Sequence, residues 1–274
     1  MMLTSVFFLV CFMILALAVG RQIWSQRIAR ERSIRGISGT KLLIELIKLT
    51  QQHRGMHSGY LNGKSEFKEK LLPLAKKVET YYNDILTFEK KNDYPESLSI
   101  HYLLKQWQRL LNNKQIQSSE SFQIHSGLIA RQLDAVWDLA DEFSLTSNQK
   151  EDIRNVAQQL VKTLPELAES LGQVRALSVQ VASKQEMSSD KKLQLLFTLG
   201  KIESHHKNLV TPLPSATNNE LTRFVAKVKQ DIKTAELTEQ NPDILFQEAT
   251  KVIDDIFVFI NSGFDDLNGK FENS

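Results

Sequence analysis

The chain has 274 residues, of which 42% are hydrophobic and 24% charged, a composition typical of a globular protein with a buried core. Residues 1–41 hold six basic residues and one acidic residue. This positive excess is larger than the net charge of the whole chain, +2, so the residues after 41 are slightly acidic in total. Such a domain lacks the basic face that nucleic acids require, and we expect no nucleic acid partner. The single cysteine, Cys11, excludes a disulfide framework and a cysteine metal site.

The first twenty residues predict a transmembrane anchor. They contain no charged side chain and include the apolar run VFFLVCFMILALAV, and twenty helical residues span about 30 Å, the thickness of a bilayer core. A cleaved signal peptide is the alternative, because ALA at residues 16–18 resembles a cleavage site. Signal peptides, however, carry their positive charge before the apolar run. Here the arginines follow it, which favours an uncleaved anchor.

The basic juxtamembrane segment at residues 21–40 predicts how the anchor is oriented. Positive charge beside a membrane helix normally stays in the cytoplasm, so we expect a single-pass protein of the bacterial inner membrane with a cytoplasmic soluble domain. We also expect the arginines of this segment to contact anionic headgroups of the lipid bilayer.

Residues 41–270 predict an all-α domain. Glycine and proline are few, and apolar residues recur at steps of three and four. In chain order, the expected helices cover residues 40–63, 65–91, 96–113, 118–143, 146–185, 188–210, 216–234 and 241–267. Short connections between about eight amphipathic helices are typical of antiparallel helical bundles.

Two arginines fall on the apolar stripes of their helices. In the first helix the stripe leads through LLIELIKLT to Arg54, and in the fifth a series of leucines leads to Arg175, both at helical spacing. Small residues surround both arginines. The two segments, 121 positions apart, form a weak internal repeat.

A buried guanidinium group needs a partner, because an unpaired charge in a core is costly. An internal salt bridge is one solution, and the candidate acids are Asp134, Asp138, Glu169 and Asp254. The other is a small anion held between Arg54 and Arg175, because the planar fork of a guanidinium matches a flat oxyanion. The residues alone leave both solutions open.

The two arginine segments resemble the signature helices of the nitrate- and nitrite-sensing NIT family. LTQQHRGMHSGYLNG carries a Gln-x-x-Arg-Gly pattern at Gln51 to Gly55, and ELAESLGQVRALSVQVAS carries Gly-x-x-Arg at Gly172 to Arg175. Ala176 stands where a glycine often follows the second arginine. The resemblance covers roughly residues 41–266. It implies an all-helical domain in which Arg54 and Arg175 clamp the anion.

Together with the predicted anchor, the resemblance implies a membrane-anchored sensory module that binds nitrate, nitrite or a similar small oxyanion and signals through a partner protein. His57, Ser58 and Ser178 are expected to surround the anion outside the arginine pair. No output domain is recognisable, so we expect a homodimer or a separate signalling protein. The alternative is a structural or adaptor protein whose buried arginines form internal salt bridges and bind no ligand.

Other chemistry is not indicated. His53 and His57 lie four residues apart, as metal ligands on a helix often do, but no third ligand has a fitting spacing, so we predict no metal site. We expect no cofactor either. The sequence contains no nucleophile motif, no phosphate-binding loop and no HExxH, and we predict that the chain is not an enzyme.

Overall fold

The structure, a computed structural model, describes residues 2–63, 65–92, 94 and 98–272, and of residues 2–8 and 10 it describes the backbone alone. Within these ranges the chain is helical and has no strand. The helices are α1 (Met2–Leu61), α2 (Lys68–Lys91), α3 (Ile100–Asn112), α4 (Ser118–Glu142), α5 (Glu151–Gln158), α6 (Leu164–Lys184), α7 (Ser189–Lys207), α8 (Ser215–Thr234) and α9 (Pro242–Glu272). The predicted all-α class is confirmed.

The predicted fifth helix is one continuous run in three parts. α5 passes through a π-helical turn at Gln159–Thr163 directly into α6. Pro165 follows this turn and explains it, because proline lacks the N–H of a helical hydrogen bond and its ring crowds the carbonyl of the preceding turn. The wider π turn accommodates both effects without ending the helix.

The helices form two bundles that meet along α1. The C-terminal half of α1 packs with α2, α3 and α4, and α5 to α9 form the second bundle. The bundles touch where α1 lies against α6 and α9. Leu46 and Ile47 of α1 and Leu171 of α6 are completely buried. Arg54 and Arg175 follow these residues on the apolar stripes of α1 and α6. The helical period therefore places both arginines in the contact between the bundles.

α1 extends well beyond the bundles at its N-terminus. Every side chain from residue 11 to residue 29 is exposed, and Ser33 is the first buried one among those described. Farther along, a Cβ at Gly36 would lie 2.3 Å from Phe143, and one at Gly39 would lie 2.5 Å from Phe88. These glycines therefore allow α4 and α2 to approach the α1 backbone closely.

The predicted transmembrane anchor at residues 1–20 is not supported. No helix in the described part of the chain is long and apolar enough to cross a membrane. Of the predicted anchor, the structure describes the side chains at residues 9 and 11–20. The other side chains of the predicted anchor lie outside the described set. The predicted membrane localisation and lipid contact rested on this anchor and are likewise unsupported.

Candidate functional site

Arg54 forms a buried salt bridge between α1 and α6. Its Nη1 donates to Glu169 Oε1 at 2.6 Å and its Nη2 to Oε2 at 3.0 Å, the two-pronged geometry that guanidinium and carboxylate groups favour. Nη1 also donates to the Ser126 hydroxyl of α4 at 3.0 Å. The Arg54 side chain is completely buried and that of Glu169 is 8% exposed. Among the acids considered from the sequence, Glu169 is the one paired with Arg54.

Two amides complete the surroundings of the Glu169 carboxylate. Gln51 Nε2 donates to Oε2 at 2.9 Å, and Gln173 Nε2 donates to Oε1 at 2.8 Å. Gln51 lies one helical turn before Arg54, and Gln173 one turn after Glu169, so the helix period places both amides beside the pair. Each carboxylate oxygen accepts two hydrogen bonds, which offset the loss of its contacts with water in the core.

Arg175 is equally buried but has no carboxylate in contact with it among the described residues. Its Nη1 donates to Thr250 Oγ1 of α9 at 2.8 Å and its Nη2 to the Gln51 carbonyl at 3.1 Å. The Phe246 ring covers it, with the centroid 4.9 Å from Cζ. Burial, and then the charge of Arg54, lower the pKa of Arg175 to about 10. The group remains a cation at neutral pH.

Each arginine lies close to a glycine on the helix of the other arginine. A Cβ at Gly172, on the Arg175 helix, would lie 2.7 Å from Arg54 Nη2. A Cβ at Gly55, on the Arg54 helix, would lie 3.0 Å from Arg175 Nη2. Each glycine therefore gives room to the guanidinium of the other helix.

Replacing Gly172 by alanine should lower the free energy of unfolding by about 1–3 kcal/mol, as overpacking of a core does. The added methyl group would collide with Arg54 Nη2, which its pairing with Glu169 holds in place. Urea unfolding monitored by helicity at neutral pH measures the change.

Gly200→Ala on α7 is the matched control. A Cβ there meets nothing within 4 Å, so the variant should gain about 0.5–1 kcal/mol, the usual preference for alanine over glycine in a helix. Equal gains in both variants would contradict the close approach of Arg54 to α6.

The buried part of the cluster carries an excess of positive charge. Among the described residues, two buried guanidinium groups face one buried carboxylate, and Asp254, which acts electrostatically on Arg175, is only half-buried. The described residues of the cluster also have four buried polar atoms without a hydrogen-bond partner: Gln51 Oε1, Arg54 Nε, Arg175 Nε and Ser178 Oγ. Three of these are donors. The site therefore has a buried cation without a carboxylate in contact with it among the described residues, and spare donors within the same few residues.

The three side chains expected to surround an anion, Ser178, His57 and Ser58, lie in different environments. Ser178 is completely buried on α6, one turn beyond Arg175. His57 Nδ1 lies 2.8 Å from the Ser121 hydroxyl, and Ser58 lies 3.4 Å from Ser118, so both bond to α4. A contact of these three residues with an anion stays a prediction.

A second buried cluster joins α1 to α4. His53 Nδ1 lies 2.9 Å from His125 Nε2, and the rings of His53 and Trp107 pack in a T-shaped arrangement. Burial, and then the neighbouring His57, lower the pKa of His53 to about 3. Burial and His53 hold the pKa of His125 well below its usual value, and burial lowers that of His57. All three imidazoles are therefore neutral at physiological pH.

Sequence reasoning paired His53 with His57 but missed His125, which lies 72 positions beyond His53. No spacing rule links residues on two different helices at that separation. Thr250 was missed for the same reason. Of the remaining acids considered, Asp134 is exposed, and its nearest ion pair is with Arg131 at 4.0 Å.

The chain is an all-helical domain in which two bundles meet at buried arginines. The sequence profile of a family described as nitrate and nitrite sensing (NIT) matches residues 45–265, and the chain belongs to this family. A search of curated proteins found no match. A solved structure of the NasR transcription antiterminator is similar, with a TM-score of 0.73 and 15% sequence identity, over 94% of this chain and 74% of that chain.

These comparisons decide three of the predictions. The resemblance to the nitrate- and nitrite-sensing family is confirmed. The prediction that the chain is not an enzyme is confirmed as well, because the family is described as sensing nitrate and nitrite. The expectation of no nucleic acid partner is not supported, because that relative is a transcription antiterminator. At 15% identity the likeness shows the fold alone.

Proposed function

We propose that this chain senses nitrate or nitrite by binding the anion at Arg54 and Arg175, in the contact between the two bundles. The family match supports nitrate and nitrite as the ligands. The observation that carries the choice of site is Arg175, a guanidinium only 2% exposed and without a carboxylate in contact with it among the described residues. An added monoanion would neutralise the excess charge.

The spare donors of the cluster suit a small planar oxyanion. In the part of the chain that the structure describes, Arg54 Nε and Arg175 Nε lack acceptors, and Ser178 Oγ lacks a partner. A nitrate ion has three coplanar oxygens, each an acceptor, and guanidinium N–H groups donate in one plane. The ligand would gain charge-assisted hydrogen bonds from donors whose desolvation already costs free energy.

A structural role is the second candidate, and the Arg54–Glu169 pair favours it. That pair has good geometry at both oxygens and joins α1 to α6 without any ligand. In this alternative Arg54 and Arg175 only hold the bundles together. The two roles differ in how the protein responds to anions.

A thermal-shift experiment with the full chain tests the proposal. Nitrate or nitrite at a hundred times its dissociation constant should stabilise the fold by about 2.7 kcal/mol. Each kcal/mol is worth roughly 2–4 °C in a domain of this size, so the melting temperature should rise by roughly 5–10 °C.

Sodium chloride at equal ionic strength is the control and should leave the melting temperature nearly unchanged. Arg131→Leu, on the exposed face of α4, should respond to nitrate as the wild type does. A nitrate response no larger than the chloride response would leave the structural role as the better account.

We further propose that the signal passes to a second chain along α1. Arg54 and the exposed residues 11–29 belong to the same uninterrupted helix, so a shift of α1 against α6 on binding would move its N-terminal end. The second chain is another copy of this protein or a separate signalling protein. Light scattering during the nitrate titration measures self-association, and a constant monomer mass together with no captured partner would remove this route.

A further inference from the structure

We propose that His53, His57 and His125 form a binding site for a divalent transition-metal ion of the zinc class, separate from the arginine pair. Each of the three side chains offers one ring nitrogen, and these atoms all lie within 4.8 Å of one another. The proposal does not depend on nitrate binding.

The backbone already directs the three rings to one point. His53 and His57 lie four residues apart on α1, so the helix projects both from the same face. His125 reaches them from α4, the neighbouring helix of the first bundle. Two ring nitrogens bound to tetrahedral zinc at about 2.0–2.1 Å lie about 3.3 Å apart. The nitrogens of His53 and His125 are 2.9 Å apart, so accommodating an ion requires a movement of a few tenths of an ångström.

Ser121 orients two of the rings in the way that metal-bound histidines are usually oriented. Its backbone carbonyl lies 2.7 Å from His125 Nδ1 and can only accept a hydrogen bond, so Nδ1 carries the proton and Nε2 presents a lone pair. The hydroxyl of Ser121 lies 2.8 Å from His57 Nδ1. A single residue therefore holds both His57 and His125.

The protonation of the third ring is also consistent with coordination. Because His125 Nε2 has no proton, His53 Nδ1 donates the hydrogen bond between them when no ion is present. Coordination through His53 Nδ1 requires this proton to move to Nε2 of the same ring. That is a change of tautomer in a neutral imidazole, so three neutral ligands bind the ion without net release of protons.

The ligand set selects the kind of metal. Imidazole nitrogens suit zinc, copper, nickel and iron, whereas calcium and magnesium require oxygen ligands, and among the described residues no carboxylate belongs to the cluster. Three histidines leave a fourth position of a tetrahedral ion for water or an anion. His57 is half-buried, in contrast to His53 and His125, and its side gives the route of entry.

Metal titration of the full chain, prepared without a histidine tag and stripped with a chelator, tests the proposal. We expect one zinc ion per chain in competition with a chromogenic chelator. Cobalt(II) should show the intense visible absorption of a four-coordinate ion. Ser121→Ala should weaken zinc binding by about 10–100-fold, the usual effect of removing a group that orients a ligand. His57→Gln, which removes a ligand itself, should weaken it at least as much.

His101→Gln is the matched control, because this histidine is exposed on α3 and should leave zinc affinity unchanged. The proposal is overturned if the wild type takes up no stoichiometric zinc, or if His57→Gln binds it as tightly as His101→Gln does. Circular dichroism checks that each variant keeps its helicity. If His57→Gln fails to fold, the cobalt spectrum of the wild type decides, and a six-coordinate spectrum counts against the site.

Discussion

Replacing Arg54 by leucine should lower the free energy of unfolding by about 3–5 kcal/mol, the usual effect of removing one partner of a buried ion pair. The change leaves the carboxylate of Glu169, whose side chain is 8% exposed, with Gln51 and Gln173 as its remaining partners in the described part of the chain. Two neutral amides donate hydrogen bonds but do not neutralise the charge. Urea unfolding at neutral pH measures the loss.

The double variant Arg54→Leu, Glu169→Leu separates this effect from lost packing. Replacing both partners of a buried ion pair by apolar residues is often nearly neutral, so the double variant should recover most of the loss. Arg131→Leu is the surface control, because its partner Asp134 lies 4.0 Å away and both side chains are exposed. Its effect should stay within about 0.5 kcal/mol. An Arg54→Leu variant as stable as this control would contradict a contribution of the Arg54–Glu169 pair to the stability of the core.

The Arg54–Glu169 pair also bears on the proposed binding of an anion. Glu169 already occupies both Nη groups of Arg54, so the carboxylate is an internal competitor of any added anion for that guanidinium. Arg175 has no such competitor among the described residues. Under the proposed function, an anion would therefore be held mainly by Arg175 and by the Nε groups, or would displace Glu169 and move α6 relative to α1. The second route couples binding to a change between the bundles.

The helices could be predicted from the sequence because the information that specifies them is local. Apolar residues at steps of three and four fix which face of each helix is buried, and the two arginines on those faces are 1% and 2% exposed as a result. The turn before Pro165 differs from the expectation in its π-helical form, although the proline itself is the local reason for it. Segments 21–40 and 41–61 belong to one helix, since isolated glycines cost a helix only about 1 kcal/mol each.

The partners of the buried groups could not be predicted in the same way. Four acids were available to Arg54, and the choice of Glu169 depends on which face of α6 meets α1, a property of the packed bundles. His125 reaches His53 across two helices, and Thr250 reaches Arg175 from α9. The periodicity of one helix shows that a residue is buried, whereas the residue opposite it depends on tertiary packing.

Replacing Arg175 by methionine should have the opposite effect on stability from the change at Arg54. We expect the ligand-free protein to be as stable as the wild type or more stable by about 1–2 kcal/mol, because a buried cation is removed without leaving a buried anion. The two groups that accept hydrogen bonds from Arg175 keep other hydrogen bonds in the variant. Thr250 Oγ1 still donates to the Phe246 carbonyl at 2.6 Å, and the Gln51 carbonyl belongs to the hydrogen-bond ladder of α1. Methionine is flexible enough to fill the volume beneath the Phe246 ring.

The same variant should lose the response to nitrate. If Arg175 supplies the charge that attracts the anion, the rise of roughly 5–10 °C in melting temperature expected for the wild type should disappear in Arg175→Met. Thermal unfolding of both proteins in nitrate and in chloride at equal ionic strength measures this. Gly200→Ala, whose Cβ meets nothing within 4 Å, should keep the full response and controls for a general change in stability. An Arg175→Met variant that melts far below a wild type indifferent to nitrate would show that Arg175 only holds α6 against α9 and α1.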